Sequence, residues 1–385
     1  MAFRDLLGEA RIMSEPTSVL HGIFDASINS GHDLLLFDEL IEAPDHRVAL
    51  NLLTRKRLCS ALNIEPEDIV DILGWAMNNP SEPSIVTEAP VMECIQESVD
   101  LLSLPIPHHW REDRGRYMSA SIVIAEYAGI RNMSFHRMFL QDKNHLVARI
   151  VPRHLRTMTM AARENNEEVN IAIINAPDPV VMLAAAMSFD DNIDELTIAA
   201  SLHERIHGKP LELVALPNGI EVPADSEYAM WGRITTENED EGPYVDITGT
   251  VDPVRQEPLI EVDGISHRKN PIFPAAVVGY PPQEDSAIGE AAQEIIGPLI
   301  KIIHPEIQHK MYEFIKKNKR KKYIMLDIPL LLENKLNKKR DILIFIDAKK
   351  KEINKRLKKK LNINPKIIEK FKKLQLPVEL KKQQS

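Results

Sequence analysis

The chain has 385 residues and a mass of 43.7 kDa, with 44% apolar and 27% charged residues. These ordinary globular values exclude collagen-like, coiled-coil and wholly disordered chains. Two cysteines, Cys59 and Cys94, exclude a disulfide framework and a cysteine-based zinc centre. The net charge of −9 conceals two opposed parts: residues 1–300 carry −26 and residues 301–385 carry +17.

The cationic residue changes at the same place, from 18 Arg and 4 Lys to 3 Arg and 23 Lys, and all 15 Gly precede residue 300. Such asymmetry marks a basic nucleic-acid-binding tail or two segments of different origin. No run approaches ~18 consecutive apolar residues, so no membrane helix is expected. MAFRDLLGEARIMSEP has acids among its apolar residues and no signal-peptide core, so the expectation is a cytoplasmic protein.

Residues 17–80 read as mostly helical, because HDLLLFDELI and HRVALNLLTRKRLCSALNI repeat apolar residues at helical spacing. EPEDIVDILGWAM is a further helix, and NNPSEPS is a break. From 106 to 160 the character changes. YMSASIVIAEYAGIRNMSFHRMFL and HLVARIVPRHL are runs of Val, Ile, Met and aromatics, which predict strands. IDELTIAASLHER predicts a helix, LELVAL a strand, and residues 221–280 further strands between Pro- and Gly-rich turns. There is no internal repeat, and GxGxxG, GxxxxGK[ST], GxSxG and HExxH are all absent.

Four separated strings stand out: PIPHHWREDRGRYMSASIVIAEY, RNMSFHRMFLQDKNHLVARIVPRHL, VPADSEYAMWGRI and DEGPYVD. In order along residues 1–300 they resemble the UbiD family of decarboxylases, which use prenylated FMN. The resemblance implies an α/β (α+β) chain. Its parts are an N-terminal α/β domain over 1–105, a central split β-barrel flavin domain over 106–255 and the start of a C-terminal α/β domain over 256–300. It implies a metal triad of Asn132, His154 and Glu227 holding Mn2+ or Mg2+, since amide, imidazole and carboxylate donors suit such ions. It places the catalytic trio at Arg137, Glu241 and Asp246, and flavin contacts at Phe135, His136, Arg137, Arg149, Ile150 and Val151. Read singly, the same residues are ordinary: Asn132 a strand-end turn, His154 a histidine with a local partner, Glu227 a solvated charge, and ENEDEGPYVD an acidic turn.

The chemistry implied is loss of CO2 from an sp2 carbon, where the flavin serves as electron sink. An arginine fork binds carboxylate, and an acid supplies the proton that replaces CO2; Asp246 is the expected donor. The 19 residues from Glu227 to Asp246 form a short connection. This compactness resembles the archaeal branch that turns trans-anhydromevalonate 5-phosphate into isopentenyl phosphate. That branch implies a small carboxylic acid substrate that is phosphorylated, a flavin prenyltransferase as cofactor supplier, and a homo-oligomer. Arg111, Arg114 and Arg116 are candidate phosphate anchors.

Residues 301–385 resemble the second half of dephospho-CoA kinase, through YIMLDIPLLLENKL, DILIFIDA and LQLPVELK. That family's phosphate loop is absent, so Asp327 lacks its partner and kinase activity is not expected. The alternatives here are a nucleotide-binding protein of kinase descent or a nonfunctional tail. Nucleic acid is not expected as a partner, because the aromatics form no stacking stripe.

Overall fold

In the computed structural model, which describes residues 2–278 except 31–32, 53, 66–67, 188–192 and 247–248, the long predicted strands close into a barrel. The expectations for residues 301–385, Asp327 among them, lie outside the described residues.

The N-terminal region contains β1 (Arg11–Met13), α1 (Gly22–Ser30), β2 (Leu35–Phe37), β3 (Arg47–Leu50), α2 (Arg55–Leu62), α3 (Ile69–Asn78), β4 (Ser84–Val86) and β5 (Cys94–Ile95). Two of these depart from the helical expectation: LLF and RVAL are strands, not helix. Leu35, Leu36 and Phe37 are all buried, as are Val48, Ala49 and Leu50. A short apolar run buried on both faces has no periodicity to separate strand from helix. The IVDILGWAM part of the further predicted helix does form one, α3.

Next come β6 (Tyr117–Tyr127), β7 (Ile130–Leu140), β8 (His145–Ala148), α4 (His154–Glu164), β9 (Val169–Asn175), α5 (Pro179–Ala186) and α6 (Glu195–His207). The remainder is β10 (Glu212–Ala215), β11 (Glu221–Pro223), β12 (Tyr228–Glu241), β13 (Tyr244–Val245), β14 (Val251–Asp252), β15 (Arg255–His267) and β16 (Ile272–Ala275). The helix ends carry readable signals. Asp178 accepts from the Val180 N–H with Pro179 next in line, Asp194 accepts from Leu196, and α6 stops at Gly208 with φ 67°.

Six antiparallel strands form the barrel in the order β12-β9-β6-β7-β8-β15, and β15 pairs back onto β12 to close it. The barrel therefore extends past residue 255, since β15 is one of its staves. Val123, Ala125, Ile171, Ile173, Met230 and Ile260 contribute to its buried core. Closure requires two glycines at one crossing. A Cβ on Gly264 would sit 1.9 Å from the Trp231 ring, and one on Gly232 would sit 2.1 Å from the Glu261 carbonyl. The register shifts between Trp231 and Gly232, a bulge that bends the strand.

A second sheet has the order β1-β2-β3-β16, with β16 parallel to β3. β4 and β11 flank β10 in a third sheet, and β13 pairs with β14. No described helix is long and apolar enough to cross a membrane.

Candidate active site

A cavity of about 900 Å³ opens beside β7 and α4, at the upper end of the usual range for ligand sites. Its walls include Asn132, Phe135, His136, Arg137, Arg149, Val151, His154 and Asp246. Eight of the residues expected from sequence therefore share one space. Ser119, Ala185, Met187, Glu195 and Tyr244 complete much of the lining.

Three expectations are placed otherwise. Ile150 is 1% exposed and its side chain belongs to the barrel core, because it alternates with the cavity-facing Arg149 and Val151. Glu241 is fully buried behind the wall and reaches the site through Arg137. Glu227 does not meet Asn132 and His154. Its carboxylate is fully buried, bound bidentately by Arg4 at 2.8 and 2.7 Å and by the Ile272 N–H at 3.1 Å. This is a structural ion pair between the N-terminal turn and the start of β12.

Glu195 is the acid beside Asn132. Asn132 Nδ2 donates to Glu195 Oε1 at 2.9 Å, and the Met133 N–H donates to Oε2 at 2.8 Å. Burial pushes the Glu195 carboxyl up to about 7 despite those hydrogen bonds. The opposite edge of the amide is contested. Ser134 Oγ lies 3.1 Å from Asn132 Oδ1 and 3.0 Å from His136 Nε2. His136 Nδ1 lies 3.2 Å from the Arg149 carbonyl, an acceptor, so the proton of the ring belongs on Nδ1. Burial holds that imidazole neutral, with its pKa down to about 4. Ser134 then has one proton for two acceptors. A cation on Asn132 Oδ1 would release the hydroxyl to His136 and supply the charge that Glu195 lacks. The oxygen-rich donors Asn132, His154 and Glu195 fit a manganese- or magnesium-type ion.

His154 belongs to a helix, not to the strand expected over HLVARIVPRHL. It opens α4, with Arg153 at the N-cap. That start turns His154, Arg153 and Arg156 into the cavity wall.

Arg137 is held from three sides. Its Nε and Nη2 donate to Glu241 Oε1 and Oε2 at 2.9 and 3.0 Å, and Nη1 lies 3.0 Å from Asp252 Oδ2. The guanidinium stacks 4.4 Å over the Tyr244 ring. Three of its five N–H donors are thus engaged, and the other two have no partner among the described residues. Gly242, with φ 94°, makes the turn between Glu241 and Tyr244; a Cβ there would press on the Pro253 carbonyl at 3.0 Å.

Sequence reasoning missed Asp113. Its Oδ1 accepts from the Val245 N–H at 2.7 Å and its Oδ2 from Trp110 at 3.2 Å, which fixes the backbone next to Asp246. Burial raises its carboxyl to about 6. The arginines around it are not cavity anchors. The Arg116 guanidinium is spent on the carbonyls of Leu102, Leu104 and Ile106. Arg114 binds the Asp240 carbonyl and stacks on Phe139. Arg111 is exposed and outside the lining.

Residues 84–281 match the family model described as 3-octaprenyl-4-hydroxybenzoate carboxy-lyase Rift-related domain, UbiD. The chain belongs to the UbiD family, a class of carboxy-lyases. Two curated relatives are called anhydromevalonate phosphate decarboxylase. That of Methanosarcina mazei is 36% identical over 309 residues, covering 75% of this chain and 71% of the relative. That of Methanothermobacter thermautotrophicus is 35% identical, covering 71% and 64%. Across four relatives of that name the chain spans 54–71% of their length. Among solved structures, an evolved dimeric form of the UbiD-class enzyme HmfF from Pelotomaculum thermopropionicum, in complex with prFMN, is similar. It has a TM-score of 0.72 and 29% identity, with 77% of this chain and 71% of that one covered. Vanillic acid decarboxylase of Sedimentibacter hydroxybenzoicus shares the fold, with a TM-score of 0.69 and 20% identity over 74% of this chain and 66% of that one. Residues 291–385 match a second family model, dephospho-CoA kinase.

Proposed function

We propose that the cavity decarboxylates a small α,β-unsaturated acid carrying a phosphate, of the anhydromevalonate phosphate kind named in the relatives. The observation that carries this reading is Arg137. It is fixed by Glu241, Asp252 and Tyr244 with two donors open among the described residues, on the same cavity wall as Asp246. Prenylated FMN, when bound, supplies the sink for the electron pair left as CO2 departs.

The chain's own residues do the rest. Asn132, His154 and Glu195, in place of the expected Glu227, are the proposed holders of the divalent ion. Arg149, Arg153 and Arg156 bring positive charge to the wall where phosphate groups would lie. Arg137 orients the substrate carboxylate. Asp246, on the wall just after β13, delivers the proton that takes the place of CO2 on carbon. Phe135, Val151, Met187 and Tyr244 surround the space with apolar surface, which strengthens the charge interactions within it. A homo-oligomer and a prenyltransferase partner belong to the same proposal.

The test is turnover of the anhydromevalonate phosphate acid by the full chain co-expressed with a flavin prenyltransferase. Arg137→Ala and Asp246→Asn should each lose at least 10²-fold in kcat while retaining the flavin absorption. Full activity in either variant removes the catalytic assignment.

A further inference from the structure

Helix α6 bears chemistry at both ends. Glu195 opens it at the cavity, and His203 and His207 follow eight and twelve residues later. At 1.5 Å per residue, that pair lies about 12–18 Å along the axis from Glu195. Spacing of four places both rings on one helix face. Their centroids are 4.7 Å apart, edge to face. The carboxylate of Asp178, at the N-cap of α5, meets them.

The geometry is that of a ligand set. Asp178 Oδ2 lies 3.1 Å from His207 Nε2 and 3.8 Å from His203 Nε2. One donor atom from each of the three residues falls within 4.8 Å of the others. Ligands about 2.0–2.2 Å from a tetrahedral zinc ion are about 3.4 Å apart. His203 Nδ1 lies 2.9 Å from the Lys209 carbonyl, so its proton sits there and the Nε2 lone pair faces the cluster. His207 Nε2 is buried against that same carboxylate oxygen. Asp178 is fully buried, and the histidine side chains are 5% and 10% exposed.

We propose that Asp178, His203 and His207 form a divalent transition-metal site, of zinc-binding N2O chemistry, that joins α5 to α6 away from the cavity. Two imidazoles and one carboxylate leave a coordination position for water, and nitrogen donors select zinc over manganese. The site does not depend on the function proposed above. Its effect is mechanical: α5 also supplies Ala185 and Ala186 to the cavity wall, so an ion at the far end of the helix pair would fix that wall.

The experiment uses the full chain, stripped with a chelator and dialysed against micromolar Zn2+, with bound metal counted by mass spectrometry. Glu195→Gln removes the acid of the cavity and isolates the second site. That variant should retain about one zinc per chain and melt higher with zinc than without. Adding His203→Gln and His207→Gln should abolish both effects. If the triple variant does not fold, the X-ray absorption fine structure of zinc in E195Q decides: two imidazoles at about 2.0 Å support the site. No zinc retained by E195Q, equal zinc in the triple variant, or zinc without imidazole ligands would overturn the proposal.

Discussion

Replacing Arg4 by Ala separates two roles for Glu227, structural anchor and metal ligand. Arg4 supplies two of the three hydrogen bonds to a carboxylate with no solvent exposure, while its own side chain is 27% exposed. Removing the arginine leaves a buried acid whose remaining cation, Arg268 Nη1, stands 4.0 Å away, or forces it to take up a proton. Stranding one member of a buried pair costs about 3–5 kcal/mol. Glu227→Gln removes the charge and frees an arginine that water can reach, so its cost should be nearer 1–2 kcal/mol, the price of imperfect hydrogen bonds. For a unit of this size about 3 kcal/mol corresponds to a melting shift of roughly 5 °C. Urea denaturation of the two single variants and the double variant completes a cycle. Arg4→Ala should be the worse single change, and Glu227→Gln should rescue part of it. Manganese binding should survive both and be lost in Glu195→Gln. Equal destabilisation by the two single variants would refute the ion-pair reasoning, and manganese loss in Glu227→Gln alone would return that residue to the metal.

Gly264→Val should lower stability by at least 2 kcal/mol in thermal melts, because the new Cβ occupies the Trp231 ring; wild-type stability would show that the strands can part there. Asp113 should make folding pH-dependent. Its carboxyl rises from 3.8 to about 6 on folding, so the folded state binds the extra proton and stability falls as pH climbs from about 4 to 6. Wild type should therefore lose about 3 kcal/mol over that window relative to Asp113→Asn. A pH-independent difference between the two would sink that account. Tyr117→Phe removes the hydroxyl that accepts from the Gly242 N–H at 3.0 Å. It should cost about 1–3 kcal/mol in urea melts and lower kcat by loosening the Glu241–Tyr244 turn, with flavin retained.

The barrel was legible where strands are long and unlike anything else. YMSASIVIAEY and RNMSFHRMFL pair over nine register positions as β6 and β7. α6 was legible as the run IDELTIAASLHER. β2 and β3 were not, since buried runs of three or four residues show no period. At the site, Asn132, Arg137, His154 and Asp246, singled out from separate strings, line one cavity. Glu195 was missed because an acid in the first turn of a helix already has an ordinary explanation in the helix dipole. Glu227 attracted attention because its string is distinctive, yet that distinctiveness belongs to the Arg4 contact, across 223 residues. Asp113 was hidden among arginines whose charge drew the reading away from it.

β16 completes a sheet whose other strands were made long before it. Arg47 pairs with Ile272, 225 residues downstream. On a ribosome adding ~5–20 residues per second, β3 waits roughly 11–45 s for its neighbour. During that interval an apolar strand of RVAL sequence exposes an unpaired edge. Newly made chains should therefore be most vulnerable to aggregation, and most dependent on chaperones, before residue 275 has left the exit tunnel.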